Sequence, residues 1–232
     1  MFYLTGDIHG NVTRICSFIE KYGLTENDTI IILGDAGLNY FGNSHGDAKK
    51  KKKLNRYNVP IFCIHGNHEM RPQTIDSYTE SVFHGSAVFV EADYPNLYFA
   101  KDGEVYDFDG KKTIVIGGAY SVDKFYRIAT GNLWFEDEQP SQETKDYVES
   151  RLDSLGWNVD YVLSHTCPDK FTPQEALMPQ INQKYVDTST EIWLDSIEDR
   201  LSYKKWYCGH FHINKVMDNI RFMMEDFILL GN

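Results

Sequence analysis

The chain has 232 residues, 42% of them apolar and 25% charged, with a net charge of −11 at neutral pH. That length accommodates one α/β domain with a sizeable core, and the acidic balance argues against general adhesion to nucleic acid or an anionic membrane surface. No apolar run approaches a membrane span, and the first strand runs into a polar turn with no room for an apolar leader segment. Cys16, Cys63, Cys167 and Cys208 are widely spaced and form no CxxC pair, so they read as reduced, buried thiols of a cytoplasmic protein.

Phe2 to Leu4 is a short apolar run closed by Gly6, which predicts a buried strand. Val12, Ile15, Phe18 and Ile19 then recur at helical spacing, and Gly23 follows as a stop signal. Thr29 to Asp35 (TIIILGD) is a β-branched strand ending in Gly-Asp, Ala48 to Tyr57 reads as a helix, and Pro60 to Glu69 is an apolar strand followed by a polar turn. Strand, polar turn and helix repeat three times, the pattern of a parallel α/β sheet with polar residues gathered at the carboxyl ends of its strands. From Asn96 the segments become short and alternating, with hairpin-type turns at Lys101-Asp102-Gly103 and Asp109-Gly110. A further buried strand, TIVIGGAYS, precedes a helix from Gln142 to Leu155 that Ser141 is placed to cap. A strand over 160–165, a helix over 188–201 and a strand ending in 206–212 complete the pattern. No linker, repeat or low-complexity tract divides residues 1–232, so a single domain is the economical organisation.

The residues immediately after the strands are Asp7 and His9, then Asp35, then Asn67 and His68, then His165, then His210 and His212. All are oxygen or imidazole donors of the kind that holds Mn, Fe or Zn. Any one of these histidines alone would be read as packed and hydrogen-bonded. Donor groups at five successive strand ends are hard to attribute to packing, because burying so many polar groups together without a cation is costly. Gly6, Gly10, Gly34, Gly66 and Gly209 flank them, and glycine permits the sharp turns that let side chains from several strands converge.

The ordered set GDIHG (6–10), GD (34–35), GNHE (66–69), a strand-end histidine in SHT (164–166) and GHFH (209–212) resembles the calcineurin-like metallophosphoesterase superfamily, over about residues 1–217. The resemblance implies an α/β fold, specifically an αββα sandwich of mixed sheets with flanking helices and a two-metal site at the sheet edge. It implies one metal on Asp7, His9 and His212, a second on Asn67, His165 and His210, and Asp35 bridging both. It further implies a phosphoesterase in which a metal-bridging hydroxide attacks phosphorus in line with the leaving oxygen, and His68 protonates that oxygen as general acid.

The second motif departs from one pattern within the superfamily. Protein-phosphatase and dinucleoside-tetraphosphatase branches read GDxxDRG there, whereas residues 34–40 read GDAGLNY, with Leu38 and Asn39 in place of the acid and the arginine. Phosphate is then gripped by the metals and backbone or by another arginine, for which Arg71 and Arg127 are the candidates against a plain surface ion pair. The expected partner is a small phosphorylated substrate. Phe125, Tyr126, Trp134 and Phe135 suggest either a wall that stacks on a nucleotide base or, more plainly, core packing under a long loop. Lys49 to Lys53 spread around a helix and read as a solvated face. Two alternatives stay open: a phosphodiesterase acting on cyclic nucleotides or nucleic acid, and a metal-bearing interaction module without turnover.

Overall fold

The computed structural model describes residues 1–42 and 45–232. Strands β1 (Phe2–Thr5), β2 (Thr29–Ile32), β3 (Ile61–Cys63), β4 (Tyr78–Phe83), β5 (Ser86–Glu91), β6 (Leu97–Ala100) and β13 (Ile228–Leu229) form one sheet in the order β13-β1-β2-β3-β6-β5-β4. Strands β7 (Val105–Asp107), β8 (Lys112–Ile116), β9 (Tyr161–Ser164), β10 (Lys205–Cys208), β11 (Lys215–Met217) and β12 (Ile220–Phe222) form the other, in the order β11-β12-β10-β9-β8-β7. Each sheet has a parallel centre, β1-β2-β3-β6 and β8-β9-β10-β12, with antiparallel strands at its margins. The sheets are therefore mixed, as the αββα expectation requires. The wholly parallel reading of the strand–helix repeat holds only for their centres.

Side-chain alternation builds the layers. Ile31 of β2, Phe62 of β3, Leu163 of β9 and Tyr207 of β10 point into one apolar cluster shared by the two sheets. Their neighbours Ile30, Ile32, Ile61 and Cys63 instead join Ile15 and Ile19 of α1 (Val12–Tyr22) on the outer side of the first sheet. Val162, Trp206 and Cys208 join Val148 of α4 (Gln142–Ser154) and Leu194 of α5 (Ser189–Glu198) on the outer side of the second. Central strands buried on both faces explain their unbroken apolar runs.

Local signals hold where they are self-contained. Gly23 ends α1 in the left-handed region at φ 63°, its N–H donating to the carbonyl of Ile19. Ser141 Oγ accepts from Thr144 N at 3.2 Å and caps α4. Asp109 and Gly110, both at positive φ, close the β7–β8 hairpin. The turn at Lys101-Asp102-Gly103 is no hairpin: it carries the chain from β6 in one sheet to β7 in the other. The β4–β5 hairpin escaped the sequence reading. All four cysteines are free and buried, as expected.

The lysine run is a solvated face only in part: Lys49 and Lys52 are exposed, whereas two of its members turn inward. In helix α2 (His45–Leu54), Lys51 is 2% exposed, pairs with Glu91, and sits 4.9 Å over the ring of Tyr78. Lys50 donates to the carbonyl of Gly37 at 2.8 Å. Only tertiary partners decide that these two lysines turn inward. Lys51→Ala would leave Glu91 buried without its cation, and is expected to cost about 3–5 kcal/mol of stability in denaturant unfolding.

Candidate metal centre

The parallel strands deliver their following residues to one edge of the sandwich. Asp7 and His9 follow β1, Asp35 follows β2, Asn67 and His68 follow β3, His165 follows β9, and His210 and His212 follow β10. Two lobes result. In the first, His212 Nε2 lies 3.1 Å from Asp7 Oδ2 and 3.0 Å from His9 Nε2, while His9 Nε2 lies 3.8 Å from Asp7 Oδ2. In the second, Asn67 Oδ1 lies 2.8 Å from His165 Nε2 and 3.1 Å from His210 Nδ1. Asp35 stands between them, with Oδ2 3.8 Å from both His9 Nδ1 and His165 Nε2.

The backbone is held in unusual conformations here. His9, Asp35, His210 and His212 have φ of 44°, 48°, 62° and 50°, four of the eight non-glycine residues at positive φ among the described residues. Left-handed backbone is uncommon for such side chains, and clustered strain of this kind points to function. The flanking glycines act partly by a route the sequence did not suggest. Gly66 and Gly209 are not at positive φ; a Cβ on Gly66 would lie 2.0 Å from Asp35 Oδ1, and one on Gly209 2.2 Å from Asp7 Oδ1. They make room for carboxylates.

Supporting hydrogen bonds orient the donors. Asn67 Nδ2 donates to Ser121 Oγ at 2.8 Å, which turns the amide oxygen toward the two histidines. His165 Nδ1 lies 2.8 Å from the Leu33 carbonyl, leaving Nε2 for the centre. His210 N donates to Asp7 Oδ1 at 3.0 Å, and His68 N to Asp35 Oδ1 at 2.8 Å. Glu69, fully buried, accepts from the backbone N–H groups of Gly66, Ala36 and Gly37 and ties the β2 and β3 turns together. Burial and the charge of Asp35 push its carboxyl up to about 8. Nothing in the sequence beyond its place in GNHE marks Glu69 for this role.

The electrostatics call for cations. Asp7 and Asp35 are buried, and among the described residues neither pairs with a lysine or arginine. Burial alone would raise Asp7, but the hydrogen bond from His212 and the charges of His165, His212 and His9 outweigh it and hold the carboxyl well below its usual range. Burial and the neighbouring His165 keep His210 well below the ordinary imidazole value, hence neutral, the form that ligates metal. Asp7, His9 and His212, and separately Asp7, Asp35 and His165, bring ligand atoms within 4.8 Å of one another. The residues present fit a metal centre.

A model of the calcineurin-like phosphoesterases matches residues 1–214. The chain belongs to that family. No curated protein matches the sequence. Among solved structures, TT1561 of Thermus thermophilus is 12% identical with a TM-score of 0.48, over 90% of this chain and 80% of its own. A second solved chain is 12% identical with a TM-score of 0.51, over 96% of this chain and 88% of its own, a likeness of fold. Membership implies a hydrolase that cleaves phosphoesters with the help of metal ions. No helix among the described residues is long and apolar enough to cross a membrane.

The remaining site candidates of this phosphoesterase are placed unequally. His68 lines a cleft of about 390 Å³ with Asp35, Asn67, His210 and His212, its ring centroid 5.8 Å from that of His9. Burial is the main reason its imidazole is pushed below the ordinary value; Asp35 and Asp123 oppose this, while Arg127 and His9 add to it. Arg127 donates to Asp123 at 2.7 Å, to the Tyr40 hydroxyl at 3.3 Å and to the Leu133 carbonyl at 3.2 Å. Arg71 donates to Asp102 Oδ2 and to the Asp137 carbonyl, both at 2.8 Å, and lines a separate cavity rather than the cleft. Leu38 and Asn39 are fully buried, Asn39 accepting from the Tyr78 hydroxyl. Core packing does not account for Phe125 and Tyr126, which are 69% and 66% exposed on the short helix α3 (Lys124–Thr130).

Proposed function

We propose that the centre holds two transition-metal ions, Mn, Fe or Zn, and that the protein hydrolyses a small phosphate ester. Asp7, His9 and His212 would hold one ion, Asn67, His165 and His210 the other, and Asp35 would serve both. The observation that carries this reading is Asp35 Oδ2, placed 3.8 Å from one imidazole nitrogen of each lobe. When bound, such a pair of cations binds phosphate oxygens and acidifies water at neutral pH.

The chain's own residues do the rest. The four left-handed backbone positions and the Glu69 staple hold the donors in place before substrate arrives, so little reorganisation is needed during reaction. His68 lies beside the donors; among the described residues its ring makes no hydrogen bond, while its backbone N–H is spent on Asp35. In its protonated form the His68 ring would hand a proton to the departing alkoxide oxygen. Leu177, Met178, Ile181 and Ile213 line the cleft wall and restrict water around the ester. Of the two arginines, Arg127 acts on His68 through its charge, and its partner Asp123 lines the cleft. The net charge of −11 speaks against nucleic acid as the substrate.

Metal analysis of purified protein supplied with Mn, Fe and Zn should find up to two ions per chain. Turnover of p-nitrophenyl phosphate against bis(p-nitrophenyl) phosphate with Mn then separates monoesterase from diesterase. A protein that takes up none of these metals would overturn the reading. Metal uptake without hydrolysis of either ester or of a nucleotide panel would make it an interaction module.

A further inference from the structure

Beside the metal cleft lies a second cavity of about 240 Å³ that shares Val122, Leu177, Gln183, His210 and Phe211 with it. Among the described residues no lysine or arginine lines either space, whereas Asp169, Asp187 and Glu191 line the second. None of these three carboxylates has an ion-pair partner among the described residues. Lys124, whose ammonium lies 4.1 Å over the ring of Trp134, lines neither space.

Glu191 marks the second cavity as a site. It is 6% exposed; Oε1 accepts from Thr166 Oγ1 at 2.7 Å, and Oε2 has no hydrogen-bond partner among the described residues. A buried carboxylate oxygen left unpaired is expensive, and burial pushes this carboxyl up to about 7. The three carboxylates do not bring their oxygens within 4.8 Å of one another, so they do not form a cage for one metal ion. Their wider spread suits an organic cation with several N–H donors.

We propose that this cavity receives the alcohol part of the substrate, and that this alcohol carries an ammonium group. The inference rests on the phosphoesterase reading and narrows it: the phosphate sits at the metal centre, while the cationic end passes His210 and Phe211 to reach Glu191, Asp187 and Asp169. Esters ending in a carboxylate or further phosphates meet carboxyl groups there, with no lysine or arginine among the described lining residues to receive them.

The test is a series of ω-aminoalkyl phosphates of two to six carbons, each against the n-alkyl and ω-carboxyalkyl phosphate of matching length, with Mn-loaded protein. At the best length kcat/KM is expected to favour the amine over the alkyl ester by about tenfold, with the carboxylate ester last. Glu191→Gln, which keeps the oxygen facing Thr166, and Asp187→Asn should each reduce that amine-to-alkyl ratio about three-fold or more. An amine ester no better than its alkyl match, or a ratio unmoved by Glu191→Gln, overturns the proposal. Calorimetric binding of 4-amino-1-butanol against 1-pentanol, to the metal-free protein and to Glu191→Gln, separates the two readings. Glu191-dependent amine binding with no hydrolysis of any ester refutes the phosphoesterase reading and keeps the cation site. Hydrolysis without amine preference or amine binding refutes the cation site alone, and neither hydrolysis nor amine binding refutes both.

Discussion

Asp35→Asn is expected to lower metal affinity by at least about 100-fold, the upper range for changing a residue that merely supports a ligand, and to remove hydrolysis with it. Neither shape nor backbone explains such a loss. Asparagine is nearly isosteric, tolerates the φ of 48° at this position, and can still accept the His68 N–H that Asp35 Oδ1 accepts at 2.8 Å. What disappears is one negative charge between the two lobes. The metal-free variant should be at least as stable as the parent, because Asp35 is buried without a lysine or arginine partner and its charge helps raise Glu69. Mn should then raise the melting temperature of the parent, by the equivalent of about 2.7 kcal/mol at a hundred times its Kd, and that of Asp35→Asn by no more than about 0.4 kcal/mol. A variant that binds two ions as the parent does would remove Asp35 from its bridging role.

His68→Ala is expected to separate the two properties, keeping metal while kcat falls about 10²–10⁴-fold. The backbone N–H that positions Asp35 survives this change, and the donor atoms of the two lobes come from other residues. The loss should be smaller for esters with good leaving groups, such as p-nitrophenyl phosphate, than for alkyl phosphates, whose alkoxide needs the proton. Metal content by elemental analysis and kcat on both ester types check this. Loss of metal from His68→Ala would place His68 among the ligands, and equal losses on the two ester types would deny it the acid role.

The departure in the second motif gains a physical meaning from the fold. Leu38 and Asn39 do not face the cleft; they are buried, and Asn39 packs against Tyr78 of β4. The loop after Asp35 therefore serves the core of the first sheet. Arg127, whose charge lowers the His68 imidazole, comes from α3, more than eighty residues downstream.

Much of the fold and the centre was readable because the relevant information is local. A strand buried on both faces needs an unbroken apolar run, and a polar residue directly after it must emerge at the strand's carboxyl end. Asp7, His9, Asp35, Asn67, His165, His210 and His212 were legible for that reason, as were the cap at Ser141 and the stop at Gly23. The features that were not legible involve partners remote in the chain. Asp35 and His165 meet across the two sheets. Lys51 is buried because Glu91 and Tyr78 wait for it, Arg71 is drawn to Asp102 and away from the cleft, and Glu191 is enclosed beside Thr166. The inward or outward choice of a long charged side chain depends on whether packing brings a counter-charge within reach, and periodicity along one segment carries no record of that. Local order along the chain names the atoms that could hold metal; the packing of two sheets selects which of the other charges surround them.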